Sequence, residues 1–143
     1  TMKHRLTIFL LLICISLNAQ NWESSWDTAV QKAGVENKKI ILVFSGSDWC
    51  IPCIKLEKEV WLDKAFIAYA NEKLILYRAD FPKRKKNKLS PAMQEANEAL
   101  AEQYNAKGYF PWVLIFSPLQ KQLGAFAYEK IPVSSYIEKI NGF

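Results

Sequence analysis

The sequence predicts an α/β fold with a central mixed sheet of about four to five strands and helices on both faces. Segments with apolar residues at helical spacing alternate with short apolar runs that are rich in β-branched residues. The connections between these runs are long enough to contain helices, except for a short turn after Phe116. The chain has 143 residues, half of them apolar, so it can bury a full core.

The beginning of the chain has the layout of a secretory signal peptide. A short basic stretch, Met2–Arg5, precedes a nearly unbroken apolar run, Leu6–Leu17. This run has 12 residues, well below the roughly 20 that a membrane-spanning helix needs. Ala19 offers a cleavage point. We therefore expect residues 1–19 to be removed and residues 20–143 to form an exported domain that works in a periplasm or another extracytoplasmic compartment.

Removal of the leader restricts the chemistry that remains. The leader contains His4, the only histidine, and Cys14, so the exported domain would keep only Cys50 and Cys53 as thiols. Without Lys3 and Arg5, the exported domain has 17 Lys and Arg against 14 Asp and Glu, a mild net charge of +3. It does not indicate a nucleic-acid partner.

The first part of the domain predicts a helix, a strand and a second helix. Apolar residues at helical spacing predict the first helix over 22–33, between the cap Asn21 and the stop Gly34. The apolar run over 40–44 is continuous, as in a strand that is covered on both faces. Helical spacing resumes at Cys50.

The middle of the domain predicts a helix, a strand and a further helix. Asp63 is a cap for a short helix over 64–71. Residues 74–80 predict a second strand, parallel to the first because a helical crossover joins the two. Ser90 followed by proline predicts the start of a helix over 91–104.

The last part of the domain predicts a hairpin and a closing helix. Residues 112–116 predict a third strand, which the helical crossover before it would again make parallel. A turn over 117–120 joins it to a fourth strand over 122–128, so these two strands are antiparallel. Residues 133–140 predict the final helix.

Cys50 and Cys53 stand where the first strand gives way to a helix. A zinc site needs more protein ligands than these two, and the domain has no further cysteine or histidine. A purely structural disulfide that closes about four residues would stabilise the fold by only about 2 kcal/mol. A redox pair explains the position, because the free N–H groups at a helix N-terminus stabilise a thiolate. We expect Cys50 to be the nucleophile and Cys53 to resolve the mixed disulfide.

The residues around this pair resemble the core of the thioredoxin superfamily. The resemblance rests on the strand before the motif, on the loop that ends in Asp48 and Trp49, and on Cys50–Cys53. Gly108–Pro111 stands just before a strand, where the family has its cis-proline loop. The resemblance is strongest to exported thioredoxin-like proteins of bacteria and extends over residues 22–143.

The resemblance implies a thioredoxin-like fold and a thiol:disulfide oxidoreductase that acts on exported proteins. No cofactor or metal is expected beyond the redox-active cysteine pair. Pro111 would follow a cis peptide bond, and Phe110 would present its backbone to the substrate. Trp49, Ile51 and Pro52 would complete the substrate-binding surface.

Two residues bear on the rate of disulfide exchange and on whether the protein reduces or oxidises its substrates. Phe44 stands where thioredoxins have a buried acid that helps to deprotonate the resolving cysteine. Proton transfer from Cys53 would then rely on water, on the substrate or on Asp48, a weak candidate that is expected to point to solvent. Pro52 resembles the reducing members of the family and favours disulfide reduction, with electrons from a membrane thiol-transfer protein. The alternatives are a disulfide oxidase or isomerase, or a client-binding module that makes little use of its cysteines.

The run from Lys83 to Lys88 has five basic residues in six positions. The simplest interpretation is a solvated loop. The alternative is a docking patch for an acidic partner or for anionic lipid headgroups.

Overall fold

The structure, a computed structural model, describes residues 20–143. The predicted leader, with Cys14 and the expected cleavage point at Ala19, lies outside the described residues. The helices are α1 (Trp26–Glu36), α2 (Ile51–Leu56), α3 (Lys64–Lys73), α4 (Pro91–Tyr104) and α5 (Val133–Asn141), and the strands are β1 (Lys39–Ser45), β2 (Leu74–Asp80), β3 (Trp112–Phe116) and β4 (Gln122–Phe126). Within this range none of the helices has the length and apolar character that spanning a bilayer requires.

The four described strands form one mixed sheet in the order β2-β1-β3-β4. β1 pairs with β2 in parallel and with β3 antiparallel, and β3 and β4 form an antiparallel hairpin. Helices cover both faces, since the buried side chains divide into two clusters that each pack between the sheet and helices. The predicted α/β fold with a mixed sheet is confirmed.

The direction of β3 differs from the prediction. The helical crossover predicted that β3 would run parallel to β1, but Phe44 at the end of β1 pairs with Trp112 at the start of β3. The reason is the course of the chain around α4. Phe110, after α4, packs against Phe81, which follows β2, with 5.5 Å between the ring centroids. The chain thus re-enters the sheet at the end where β2 left it. β3 therefore runs antiparallel to β1.

The first helix begins later than its apolar spacing predicts. Ser25, not Asn21, caps α1, because its Oγ accepts a hydrogen bond from the backbone N–H of Thr28 (3.0 Å). Trp22 lies outside the helix and forms an isolated parallel bridge with Leu76 at the outer edge of β2. Trp22 therefore extends the sheet instead of the helix.

The helix after the cysteines changes its pitch. α2 continues without a break into a π-helical segment, Glu57–Trp61, in which the N–H of Leu62 donates to the carbonyl of Glu57 (2.9 Å). Such segments have one extra residue in a turn and are frequent near functional sites. Here the segment brings Val60 and Trp61 into the core on one face of the sheet.

β1 is the centre of the molecule, and its side chains alternate between the two cores. Ile41 and Val43 pack in the cluster with α2, α3 and α5. Ile40, Leu42 and Phe44 pack in the cluster with α1 and α4. All five are almost completely buried, as the continuous apolar run predicts. The carboxyl end of this rigid strand leads directly into the cysteine motif.

Candidate active site at the N-terminus of α2

A tight turn connects β1 to the cysteines. The backbone N–H groups of Trp49 and Cys50 both donate to the carbonyl of Gly46, at 3.2 and 2.9 Å. The indole ring of Trp49 lies so close to Gly46 that a Cβ on that residue would overlap it. Glycine is therefore required at position 46, because any side chain would displace Trp49.

Cys50 caps α2, and its sulfur lies at the helix N-terminus. The backbone of Cys50 is extended, and its Sγ accepts a hydrogen bond from the N–H of Cys53 (3.3 Å). Pro52 in the first turn has no N–H to leave unpaired. The helix thus starts where the sequence predicts, with its positive end directed at Cys50.

Cys50 and Cys53 are joined by a disulfide, with their Cα atoms 5.2 Å apart. Both residues are about 95% buried, and the N–H of Gly46 also reaches the Sγ of Cys53 (3.5 Å). Ile51 between them is 64% exposed. Among residues 20–143 there is no cluster of three or more side chains placed to hold a metal ion.

Aromatic rings form one wall of the site. Trp49 packs edge-on against Phe110 (5.5 Å between ring centroids), and Phe110 packs against Phe81 at the same distance. The indole N–H of Trp49 donates to the carbonyl of Phe81 (2.7 Å). The peptide bond between Phe110 and Pro111 is cis. The structure therefore brings Phe110 and Pro111 to Trp49, the residue directly before Cys50.

Asn105 positions the loop that leads to Pro111. It is 6% exposed, its Nδ2 donates to the carbonyl of Tyr109 (2.8 Å), and its Oδ1 accepts from the N–H of the same residue (3.0 Å). Asn105 was not among the predicted site residues. Its position directly after a helix is the one signal that would have indicated it, since asparagine is common where the backbone turns.

Asp80, at the end of β2, holds the turn before the cysteines. Its carboxylate accepts hydrogen bonds from the N–H and the hydroxyl of Ser47, at 3.0 and 2.6 Å. Its carbonyl accepts from the side chain of Asn97 (3.1 Å), which in turn accepts from the hydroxyl of Tyr77 (2.6 Å). This network connects the loop of the site to α4 and β2, and the sequence analysis missed it.

Asp48 is half-buried, and its carboxylate is bound by the loop after β2. Its carboxylate accepts hydrogen bonds from the N–H groups of Lys83 (2.9 Å) and Arg84 (3.0 Å) and from the side chain of Asn87 (3.0 Å). These donors, the N–H of Lys83 above all, lower the pKa of Asp48 to about 2. A carboxylate with this pKa is a poor proton acceptor near neutral pH. Its contacts give it a different role, which is to hold the loop after β2.

Substitution of Asp48 by asparagine is expected to lower the thermal midpoint more at pH 5 than at pH 2. The folded-state pKa of Asp48, about 2, lies below its ordinary value of 3.8. The ionised carboxylate therefore stabilises the fold above about pH 3.8, and this contribution is lost as the pH falls through about 2. Thermal unfolding of both proteins between pH 5 and pH 2 measures the difference. A difference that stays constant over this range would contradict the assigned contacts, and Glu102→Gln, an exposed acid of α4, is the control.

A small cavity of about 160 Å³ lies beside Cys53 on the side of α2. Glu57, four residues after Cys53, lines it together with Ser45 and Arg78. Glu57 and Arg78 form an ion pair, and the guanidinium group of Arg78 also lies 4.2 Å from the ring centroid of Trp22. The cavity is large enough for water. Glu57 was not among the predicted site residues, although helical spacing from Cys53 places both on one face.

Comparisons with known proteins identify the family of the chain. A model of a thioredoxin-like family matches residues 21–118. The chain therefore belongs to the thioredoxin-like family, as its motifs predicted. With a disulfide-forming cysteine pair at the start of α2, it is a thiol:disulfide oxidoreductase.

Individual proteins show what the chain is similar to. The chain is 31% identical over 119 residues to the disulfide bond reductase DsbH of Chlamydia pneumoniae, a match that covers 83% of this chain and 69% of that protein. A solved structure of a DsbH oxidoreductase superposes with a TM-score of 0.79 at 28% identity, covering 87% of this chain and 83% of the other. A thioredoxin from Thermus thermophilus superposes with a TM-score of 0.64 at 14% identity, covering 87% and 86%, which shows the shared fold alone.

Proposed function

We propose that the protein reduces disulfides in other proteins by dithiol–disulfide exchange through Cys50 and Cys53. The observation that supports this most directly is the disulfide at the N-terminus of α2. Phe110, which precedes Pro111, packs against Trp49, the residue before Cys50. Similarity to a relative named as a disulfide bond reductase favours the reducing direction. Pro52 between the cysteines is consistent with it.

The reaction has two exchange steps. The Cys50 thiolate attacks one sulfur of the substrate disulfide, a mixed disulfide forms, and the other substrate sulfur leaves as a thiolate that takes up a proton. The Cys53 thiolate then attacks the Cys50 sulfur, which releases the second substrate thiol and forms the Cys50–Cys53 disulfide. Two electrons pass from the cysteine pair to the substrate. The N–H of Cys53 and the helix N-terminus stabilise the attacking Cys50 thiolate.

The substrate-binding surface consists of the residues around the disulfide. Ile51 is exposed beside the cysteines, Pro52 makes the first helical turn stiff, and Trp49 and Phe110 form the aromatic wall. Phe110 and Pro111 would pair with an extended substrate segment through the backbone of Phe110. Pairing through backbone groups depends little on the side chains of the substrate, which suits an enzyme that acts on several proteins.

Reduced protein should accelerate the reduction of insulin disulfides by dithiothreitol well above the uncatalysed rate. Equilibration of the Cys50–Cys53 pair against glutathione should give a potential nearer to about −270 mV, as for thioredoxin, than to about −120 mV, as for a strong oxidant. A value at the oxidising end would overturn the reducing direction and favour a disulfide oxidase. Absence of catalysis with any disulfide substrate would favour a client-binding module instead.

We further propose Glu57 as the group that accepts the proton of Cys53. Cys53 is buried and must lose its proton before it attacks the mixed disulfide. Phe44 offers no acceptor, and Asp48 is bound to the loop after β2. Glu57 lines the cavity that Cys53 also lines, with room for water between them.

Substitution of Glu57 by glutamine should slow release of the mixed disulfide by about 10²-fold at pH 6, the usual contribution of a positioned base. The difference from the wild type should shrink as the pH rises toward about 9, because hydroxide then takes the thiol proton more readily and the positioned base matters less. Quenched-flow trapping of the mixed disulfide against pH measures both. Glu59→Gln is the matched control, since Glu59 bonds instead to the hydroxyl of Tyr128 (2.8 Å). Equal pH profiles for the wild type and Glu57→Gln would exclude this role.

We also propose that the protein acts outside the cytoplasm. The leader-like residues 1–19 support export, with exported proteins as substrates and a membrane thiol-transfer protein as electron donor. Expression of the whole chain in a Gram-negative host, followed by mass spectrometry of the periplasmic fraction, should find a protein that begins at Gln20. A full-length protein in the cytoplasm would contradict export.

A further inference from the structure

The segment Lys83–Lys88, here called the basic loop, connects β2 to α4 next to the candidate active site. All of its residues are exposed. Five of the six are lysine or arginine. Within residues 20–143, none of these five has a carboxylate within salt-bridge distance of its charged group. The loop therefore presents a concentrated positive charge that the domain does not neutralise with ion pairs of its own.

The basic loop is held in one conformation. Asp48 accepts from two of its backbone N–H groups and from the side chain of Asn87. A short 3₁₀ turn over Lys85–Asn87 closes it, and the N–H of Phe81 just before it donates to the carbonyl of Ser45 (2.9 Å). A partner would thus bind a surface that is already ordered, at a lower entropic cost than a mobile loop would impose.

The basic loop also touches the aromatic wall. The ammonium group of Lys83 lies 3.9 Å from the ring centroid of Trp49. Trp49 directly precedes Cys50 and packs against Phe110. A polypeptide that lies along Phe110 with its disulfide at Cys50 would therefore extend its flanking residues toward the basic loop.

A groove of about 270 Å³ adjoins the basic loop. Phe81, Pro82 and Leu89 are half-buried and supply its apolar lining, and four of the basic residues supply the charged lining. The groove is suited to an extended segment that combines acidic and apolar side chains. A flat lipid surface could approach the exposed cations but would leave the groove empty.

Two acids also line the groove, and both have partners. Asp80 accepts from Ser47, and Glu98 accepts from the side chain of Gln94 (3.1 Å). Asp80 is half-buried at the end of β2, and Glu98 is exposed on α4. Four exposed cations and one exposed acid therefore line the groove, so its exposed charge is predominantly positive.

We infer that the basic loop docks an acidic segment of the substrate protein that lies close to the disulfide to be reduced. This inference rests on the proposed reductase function and names the class of substrate that the site prefers. Charge complementarity over the basic loop speeds encounter and orients the acidic segment. The contact between Lys83 and Trp49 links that docking to the site of exchange.

Two synthetic peptides test the preference. Both contain the same internal disulfide and the same fluorescent reporter, and they differ only in four flanking residues, which are glutamate in one and glutamine in the other. The wild-type protein, reduced beforehand and freed of reductant, should reduce the acidic peptide with a second-order rate constant about 10-fold higher at low salt. Sodium chloride at 0.5 M should remove most of this advantage. Division by the rate with dithiothreitol corrects for the intrinsic reactivity of each peptide.

The variants assign the preference to the basic loop. The triple variant Lys85→Gln, Lys86→Gln, Lys88→Gln keeps the groups that bind Asp48 and should lose most of the advantage while reducing the neutral peptide at the wild-type rate. The control triple variant Lys64→Gln, Lys121→Gln, Lys130→Gln removes the same charge from other exposed positions and should keep the advantage.

The outcomes separate this inference from the reductase function. Equal rates for the two peptides with the wild-type protein would overturn the inference and leave the reductase function intact. Reduction of neither peptide would overturn both. If the basic loop instead bound vesicles of phosphatidylglycerol and gave the acidic peptide no advantage, the surface would serve membranes and the inference would be wrong.

Discussion

Substitution of Cys50 by serine is expected to reduce the insulin-reducing activity to the rate of dithiothreitol alone. The sulfur of Cys50 caps α2 and receives the N–H of Cys53, so it is the sulfur that the helix N-terminus activates. A serine hydroxyl at this position cannot form the mixed disulfide. The helix N-terminus stabilises a thiolate at Cys53, the remaining cysteine, less than one at Cys50. Turbidity of precipitating insulin chains, followed over time, measures the loss.

Substitution of Cys53 by serine should have a different result. The first exchange still occurs, but the second cannot, so the substrate stays attached to Cys50. Non-reducing gels and mass spectrometry should show one insulin chain bound per protein molecule. If Cys50→Ser formed the stable adduct and Cys53→Ser did not, the roles of nucleophile and resolving cysteine would be reversed. The same trap in cell extracts would identify natural substrates.

Substitution of Trp61 by alanine is expected to lower the free energy of unfolding by about 3–5 kcal/mol, as for other large aromatic residues in cores. Trp61 is 2% exposed at the end of the π-helical segment. It packs edge-on against Phe66 (4.9 Å between ring centroids) and against Trp22 (6.0 Å). The substitution would leave a cavity beneath the helix that carries both cysteines. Urea unfolding of the oxidised protein, monitored by circular dichroism, measures the change.

The adjacent Leu62 provides a matched control for Trp61. Leu62 is 56% exposed, so Leu62→Ala should change the free energy of unfolding by no more than about 0.5 kcal/mol. A loss of less than about 1 kcal/mol for Trp61→Ala would mean that the core beneath α2 is not packed as described. A loss in the predicted range should also leave less folded, active protein at 37 °C.

Most of the elements could be predicted because their signals are local. Ser90 and the proline after it begin α4, and Asp63 begins α3, as their cap patterns predicted. The continuous apolar run of β1 predicted a strand that is buried on both faces. Trp22 misled the prediction, because its spacing fits α1 while its side chain packs against Trp61.

The failures concern residues that meet only after the chain has folded. The direction of β3 depends on where α4 returns the chain, which helix length does not determine. Asp48 meets Lys83 and Asn87 across more than 30 positions of sequence. Arg78 reaches Glu57 from the neighbouring strand. No periodicity or motif indicates such contacts.

The sequence by itself determined the α/β fold class, the cysteine pair at a helix N-terminus and the membership of the thioredoxin-like family. These depend on spacing within one or two helical turns and on short apolar runs, which act through local backbone preferences and burial. Only the tertiary structure decided what surrounds the cysteines: the cavity with Glu57, the loop that Asp48 holds, and the turn that Asp80 holds. Side-chain hydrogen bonds between distant segments form only where packing brings donor and acceptor to about 3 Å, so sheet register and helix placement had to be known first.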